Sequence, residues 1–214
     1  MIKDFDLLQR ANNDYTTIDL EHAEELAYRE LIDSIRYISL GDECGVMGNI
    51  ANIITYKGRF YIQEEQFDRV FIYDDTGRCL KKIDNKGRGP GEYLRIESID
   101  INTEKEELML VDGMSDKLFF YDLDGNFKSI HSIRYFQTEN TLCLRDSVFL
   151  HISAPSQNFG NEGLYGYALV LSKGNENFLK GYRYLPLQVG YKGGGQIFKG
   201  YERSCYHPIY SDTI

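Results

Sequence analysis

The chain has 214 residues, enough to bury a sizeable core as one ordinary domain or one large all-β domain. Lys and Arg number 24 against 33 Asp and Glu, a net charge of −9, and a field of that sign repels phosphate backbones, which argues against nucleic acid as a partner. No stretch approaches the roughly 20 apolar residues of a membrane helix, and Met1 to Asp19 lacks the basic-then-apolar pattern of a secretory signal.

In chain order, residues 1–34 form an N-terminal extension. Positions 1–17 are mixed and polar and are expected to be poorly ordered or a short frayed helix. Thr17 to Leu20 suggests a short strand, and Ala23, Leu26, Ala27 and Leu31 fall near helical spacing, which predicts a short amphipathic helix over 21–32. Tyr37 to Leu40 then predicts a strand closed by Gly41.

After Gly48 the period changes. Residues 50–56, 59–63, 68–74 and 78–83 are short runs rich in Ile, Val, Phe and Tyr, separated by turn residues, and they predict a four-stranded antiparallel meander. The same order returns at 97–102, 107–111, 117–122 and 126–131. Tyr73-Asp74-Asp75-Thr76-Gly77 recurs 48 residues later as Tyr121-Asp122-Leu123-Asp124-Gly125. At that one offset Ile53 meets Ile101, Ile62 meets Leu110, Glu64 meets Asp112, Asp68 meets Asp116 and Phe71 meets Phe119. A looser third unit occupies 141–145, 147–153, 166–172 and 176–182, and a fourth starts near Ser204.

A period of 48 residues with four strands per unit lies within the propeller range of about 40–50 residues. In Lys117-Leu118-Phe119-Phe120-Tyr121 apolar residues occupy both faces of the strand, as blades stacked face to face require. The expected fold is therefore an all-β partial β-propeller over 35–214, with blade 1 at about 50–83, blade 2 at 97–131, blade 3 at 141–182 and the start of blade 4 at 204–214.

The junction between the first two units is Gly87-Arg88-Gly89-Pro90-Gly91-Glu92-Tyr93. Its glycines invite a phosphate-cradle reading, but a strand follows where a helix and a Lys-Ser/Thr pair would be needed, so a structural turn is expected. Lys86, Arg88 and Arg95 beside it are candidate contacts for an anionic or sugar ligand. Gly190 to Gly195 is expected to be a flexible loop.

This turn, with Ile99-Asp100, Leu110-Val111-Asp112, Lys117 to Asp122 and Asp124-Gly125-Asn126-Phe127, resembles the NHL repeat. Together with Ile35 to Leu40 and Cys44 to Ile50, the chain looks like the six-bladed NHL- or TolB-like β-propeller proteins of Bacteroidetes. The resemblance is specific over 35–130 and looser over 131–214. Ile96 stands where the repeat usually has proline, and about three and a half units are present where six would be needed. The resemblance implies either an N-terminal portion of a longer ring or self-association through incomplete edges. It also implies a periplasmic or outer-membrane lipoprotein setting, although no signal is visible in this chain.

Candidate chemistry is sparse. Asp74, Asp75, Asp122 and Asp124 sit beside Gly77 and Gly125 as turn formers and lack the spacing of a calcium loop. Glu64 and Asp112 are either turn caps, the favoured reading, or paired acids of a central channel. His22, His131, His151 and His207 lack metal-ligand spacing, and Cys44, Cys79, Cys143 and Cys205 read as buried or half-buried thiols, so neither metal nor cofactor is expected. The stretch from His151 to Gly166 replaces a tight hairpin with a polar, aromatic-bearing loop, where Asn158, Phe159, Asn161 and Tyr165 would suit a carbohydrate or peptide. The functional expectation is a non-catalytic binding or scaffold module. The alternative is a lyase- or lactonase-like enzyme with a central-channel site, chemistry that related propellers carry.

Overall fold

The computed structural model describes residues 3–4, 32–133, 138, 140–144, 148–153, 166–174, 177–183, 196–199 and 204–207. Sheet 1 is built from β2 (Ile50–Tyr56), β3 (Arg59–Glu64), β4 (Arg69–Asp74) and β5 (Cys79–Ile83), following β1 (Lys3–Asp4) in the chain. Sheet 2 comprises β6 (Ser98–Asn102), β7 (Glu107–Asp112), β8 (Lys117–Asp122) and β9 (Phe127–Ser132). Sheet 3 comprises β10 (Asn140–Cys143), β11 (Val148–Ile152), β12 (Tyr167–Lys173) and β13 (Asn177–Arg183), all antiparallel, with β1 added in parallel along β13. A hairpin of β14 (Gln196–Lys199) and β15 (Ser204–His207) completes the described chain, which contains no helix and hence none long and apolar enough to cross a membrane.

The 48-residue repeat extends to backbone detail. The β4–β5 hairpin of sheet 1 and the β8–β9 hairpin of sheet 2 carry a bulge at the equivalent place, between Ile72 and Tyr73 and between Phe120 and Tyr121. Asp68 and Asp116 both take the left-handed conformation, with φ of 56° and 53°. Gly77 and Gly125, at φ 88° and 80°, close hairpins that Asp74 and Asp122 hold from inside. Asp74 Oδ1 accepts from the amides of Thr76 and Arg78, and Asp122 Oδ1 accepts from those of Asp124 and Asn126. These aspartates are turn formers, as expected from sequence.

Sheet 2 is buried on both faces, which explains its unbroken apolar runs. One face carries Ile99, Ile101, Leu108, Leu110, Phe119 and Tyr121 against Tyr61, Val70, Ile72 and Ile83 of sheet 1. The other carries Met109, Val111, Leu118 and Phe120 against Cys143 and Phe149 of sheet 3. A large side chain buried this way contributes about 1.5–3 kcal/mol. The first strands of successive sheets adjoin, β2 beside β6 and β6 beside β10, a stacking consistent with a β-propeller-like arrangement.

Three sequence expectations change. Tyr37 to Leu40 forms no strand: its run ends where the Gly41 amide donates to Gly77 O at 2.8 Å, a tie to a hairpin end instead of a ladder. Lys3–Asp4, in a segment expected to be poorly ordered or a short frayed helix, is a strand paired with Lys180 and Gly181. Cys44 and Cys79, read as thiols, form a disulfide with Cα atoms 6.0 Å apart. Folding brings residue 44 across the start of β5, where Glu43 Oε2 also accepts from the Cys79 amide at 3.3 Å. Cys143 keeps its expected buried thiol, 3.4 Å from Met109 Sδ. The proposed strand at 17–20, the helix over 21–32 apart from Ile32, and the glycine loop at 190–195 lie outside the described residues.

Candidate functional site

The glycine turn closes on itself. Gly87 N donates to Tyr93 O at 2.9 Å and Tyr93 N to Asn85 O at 3.1 Å, pinching the loop at its base. Glu92 folds back so that its carboxylate accepts from Gly89 N at 2.7 Å. A Cβ on Gly87 would stand 1.9 Å from Glu92 Oε2, so glycine is required for this close approach. An internal carboxylate thus takes the place a phosphate would need, and the turn is structural.

Tyr93 fastens the turn into the seam between sheets 1 and 2. Its ring is fully buried, edge-on to Phe119 at 6.0 Å. Its hydroxyl donates to Asp68 O at 2.8 Å and accepts from Asn85 N at 3.1 Å, while burial pushes its pKa well above the usual phenol value. Asp68 completes the joint: Oδ1 accepts from Ile96 N at 3.1 Å and Oδ2 pairs with Lys86.

Next to this joint lies an open polar cleft of about 360 Å³. Asn49, Gln63 and Gln66 bring amides to it, and Glu65, Asp68 and Glu97 bring carboxylates. Arg95 supplies the guanidinium, while Ala51 and Ile96 supply the apolar lining. The floor is fixed by the fold: buried Gln63 donates from Nε2 to Ile96 O at 3.1 Å, and Glu65 N donates to Asn49 O at 3.0 Å. Arg95 Nε lies 3.4 Å from Glu97 Oε1, so its charge is balanced from within the cleft. Between Gln66 and Asp68, Phe67 is 52% exposed, with the Arg69 guanidinium 4.6 Å from its ring centre.

Of the residues singled out from sequence, Arg95 lines this cleft and Arg88 is exposed on the glycine turn. Asn158, Phe159, Asn161 and Tyr165 lie outside the described residues, between β11 and β12. The amides of Asn49, Gln63 and Gln66 escaped sequence reasoning because they lie on three segments with no shared motif; only the junction of β3 with the next sheet could have marked them.

Glu64 and Asp112 are turn caps. Buried Glu64 accepts from the amides of Gln66 and Phe67 and pairs with Arg69 Nε at 3.0 Å. Asp112 accepts from Met114 N, Ser115 N and Oγ, and from Leu94 N at 2.7 Å. The acids hold backbone and are engaged where a channel nucleophile or base would need to be exposed. His151 is fully buried on β11, with Nδ1 at 2.9 Å from Thr141 Oγ1 and Nε2 at 2.7 Å from Ser172 Oγ on the two neighbouring strands of sheet 3, and burial pushes its pKa down to about 3. Among the described residues no group of three His, Cys, Asp or Glu could hold a metal ion.

One similar structure shares the fold. A crystal structure of the "Putative exported protein" of Bacteroides fragilis matches at 18% identity with a TM-score of 0.71, covering 82% of this chain and 49% of that one. A DUF4221 family member from Bacteroides vulgatus matches at 11% identity with a TM-score of 0.46, covering 75% of this chain and 52% of the other. The chain thus spans about half the length of each of these structures. No curated protein sequence matches it. A family profile does match, over residues 15–214, and the chain therefore belongs to the family described as Domain of unknown function (DUF4934).

Proposed function

We propose that this chain is part of a six-bladed, NHL-like β-propeller that serves as a non-catalytic binding or scaffold module in the cell envelope. The observation that carries the reading is the exact-offset repeat of two four-stranded sheets, stacked through their first strands with a third and joined by the self-closing glycine turn. Closing a ring of such sheets removes exposed edges. Fold alone does not assign an activity. Binding is favoured because the acids that could serve catalysis, Glu64 and Asp112, are committed to turn amides.

The envelope setting draws on two facts. Cys44 and Cys79 form a disulfide, which persists in oxidising compartments and is rare in the cytosol. The Bacteroides fragilis structure of similar fold is described as exported. Fractionation of cells making the native gene product, with alkylation of free thiols before lysis, tests the reading. Envelope recovery with Cys44 and Cys79 protected is expected; a cytosolic, fully alkylated protein overturns the setting. Catalytic turnover of any glycan or peptide bound by the purified protein overturns the non-catalytic assignment.

A further inference from the structure

We propose that the cleft between Asn49 and Glu97 is a binding site for a neutral saccharide of one to three rings, an inference that rests on the binding-module reading and gives it a ligand class. Its volume, about 360 Å³, lies at the small end of ligand pockets, which run from about 300 to 1,000 Å³.

The lining chemistry selects the ligand. Only Ala51 and Ile96 are apolar, so a lipid or flat hydrophobic molecule would strand polar groups without partners. Three carboxylates face one guanidinium, and Arg95 is already paired with Glu97, so phosphate, sulfate or carboxylate ligands meet a repulsive field. Lys86 takes one of those carboxylates, Asp68, which lowers the charge available to attract a cation. What remains is a mixture of amide donors and acceptors with carboxylate acceptors. Vicinal hydroxyls, each both donor and acceptor, match that inventory.

Two further features fit a sugar. Phe67 follows the cleft residue Gln66 in the chain and is half exposed; Arg69 covers one face of its ring, and the opposite face suits the apolar side of a pyranose ring. Gln63 and Asp68 are held by Ile96, one through its carbonyl and the other through its amide. The floor is thereby fixed before a ligand arrives, which lowers the ordering cost of binding.

Calorimetric titration of the full chain, exported and oxidised, tests the site. The probes are maltotriose, cellotriose, mannotriose and N-acetylchitotriose, with chitosan trimer as a cationic comparison, a heparin tetrasaccharide as an anionic one and a random peptide library as a third. At least one neutral trisaccharide should bind. Asn49→Ala with Gln66→Ala should weaken it about 10-fold or more, and Phe67→Ala about 5-fold, since losing a stacking or hydrogen-bonding partner costs roughly this much. These three side chains are exposed, so circular dichroism should show the variants folded. Lys57→Ala, on the β2–β3 turn, should change nothing. Saccharide binding insensitive to the cleft variants, or confined to the charged probes, overturns the inference. Peptide binding without saccharide binding also overturns it while leaving the binding-module reading in place; binding of none of the probes overturns both.

Discussion

The Tyr93 hydroxyl lies 2.8 Å from the main-chain oxygen of Asp68, 25 residues earlier in the chain. This one contact locks the linker that leaves sheet 1 to the turn between β3 and β4 of the same sheet, and the buried ring then meets Phe119 of sheet 2. Tyr93→Phe keeps the ring and strands Asp68 O and Asn85 N. It should lower stability by about 1–3 kcal/mol, read as a fall in the urea midpoint with an unchanged slope. Tyr93→Ala also opens a cavity and should cost about 3–5 kcal/mol.

The Cys44–Cys79 bond closes a loop with a sequence separation of 35. Replacing both cysteines with serine should cost about 3–4 kcal/mol in the chain-entropy account. Hydrogen exchange should accelerate first at Gly41 and Gly45, whose amides donate to Gly77 O and Asp42 O, before the β3 and β4 ladders respond.

His151 gives stability a defined pH dependence. Its folded pKa is pushed from 6.5 to about 3 by burial, so the unfolded chain takes up a proton that the folded chain refuses. The contribution is whole above pH 6.5 and is lost as pH falls toward 3, at about 1.4 kcal/mol per unit. His151→Gln should flatten that slope in denaturant midpoints measured between pH 7 and 4. Asp74 acts in a lower window: the Thr76 hydroxyl leads in bringing its pKa from 3.8 to about 2, so its share is whole above pH 3.8 and disappears as pH falls through 2.

Gly77 tolerates no side chain. At φ 88° an added Cβ would stand 2.1 Å from Ser39 O, a backbone atom that cannot swing away. Gly77→Ala should therefore cost more than the roughly 1–2 kcal/mol of left-handed strain alone and should release residues 36–41 to proteolysis. Gly58→Ala, at φ 71° with open space around its Cβ position, should show the strain term by itself in thermal melts.

Glu64→Ala tests the assignment of the acids. It leaves Arg69 and two turn amides without their acceptor, so a loss of about 3 kcal/mol is expected in chemical denaturation. If the carboxylate instead served a channel chemistry, the substitution would leave stability almost unchanged.

The strands of sheets 1 and 2 were legible in the sequence because runs of Ile, Val, Phe and Tyr between Asp- and Gly-bearing turns act over a few residues, and a gap-free 48-residue offset repeats them. The turn roles of Asp74 and Asp122 were legible for the same reason. What escaped depends on distant partners. Tyr37 to Leu40 has the composition of a strand, yet strands exist only as pairs, and here the chain ties to Gly77 and Asp75 through single bonds from Gly41 and Arg36. Cys44 and Cys79 carry no spacing signal, because their meeting depends on where β5 begins. The cleft was half visible: Arg95 stood out by charge, while Asn49, Gln63 and Gln66 become a set only when β3 meets the next linker.

The disulfide also decides how sheet 1 bears load. Cys44 precedes β2 at one edge of the sheet, and Cys79 opens β5 at the other. Tension on the chain ahead of Cys44 would pass through the covalent bond to β5, bypassing the β2–β3 ladder that would otherwise unzip first. A tether on the N-terminal side would thus pull on two edges of the sheet at once, spreading force across four strands.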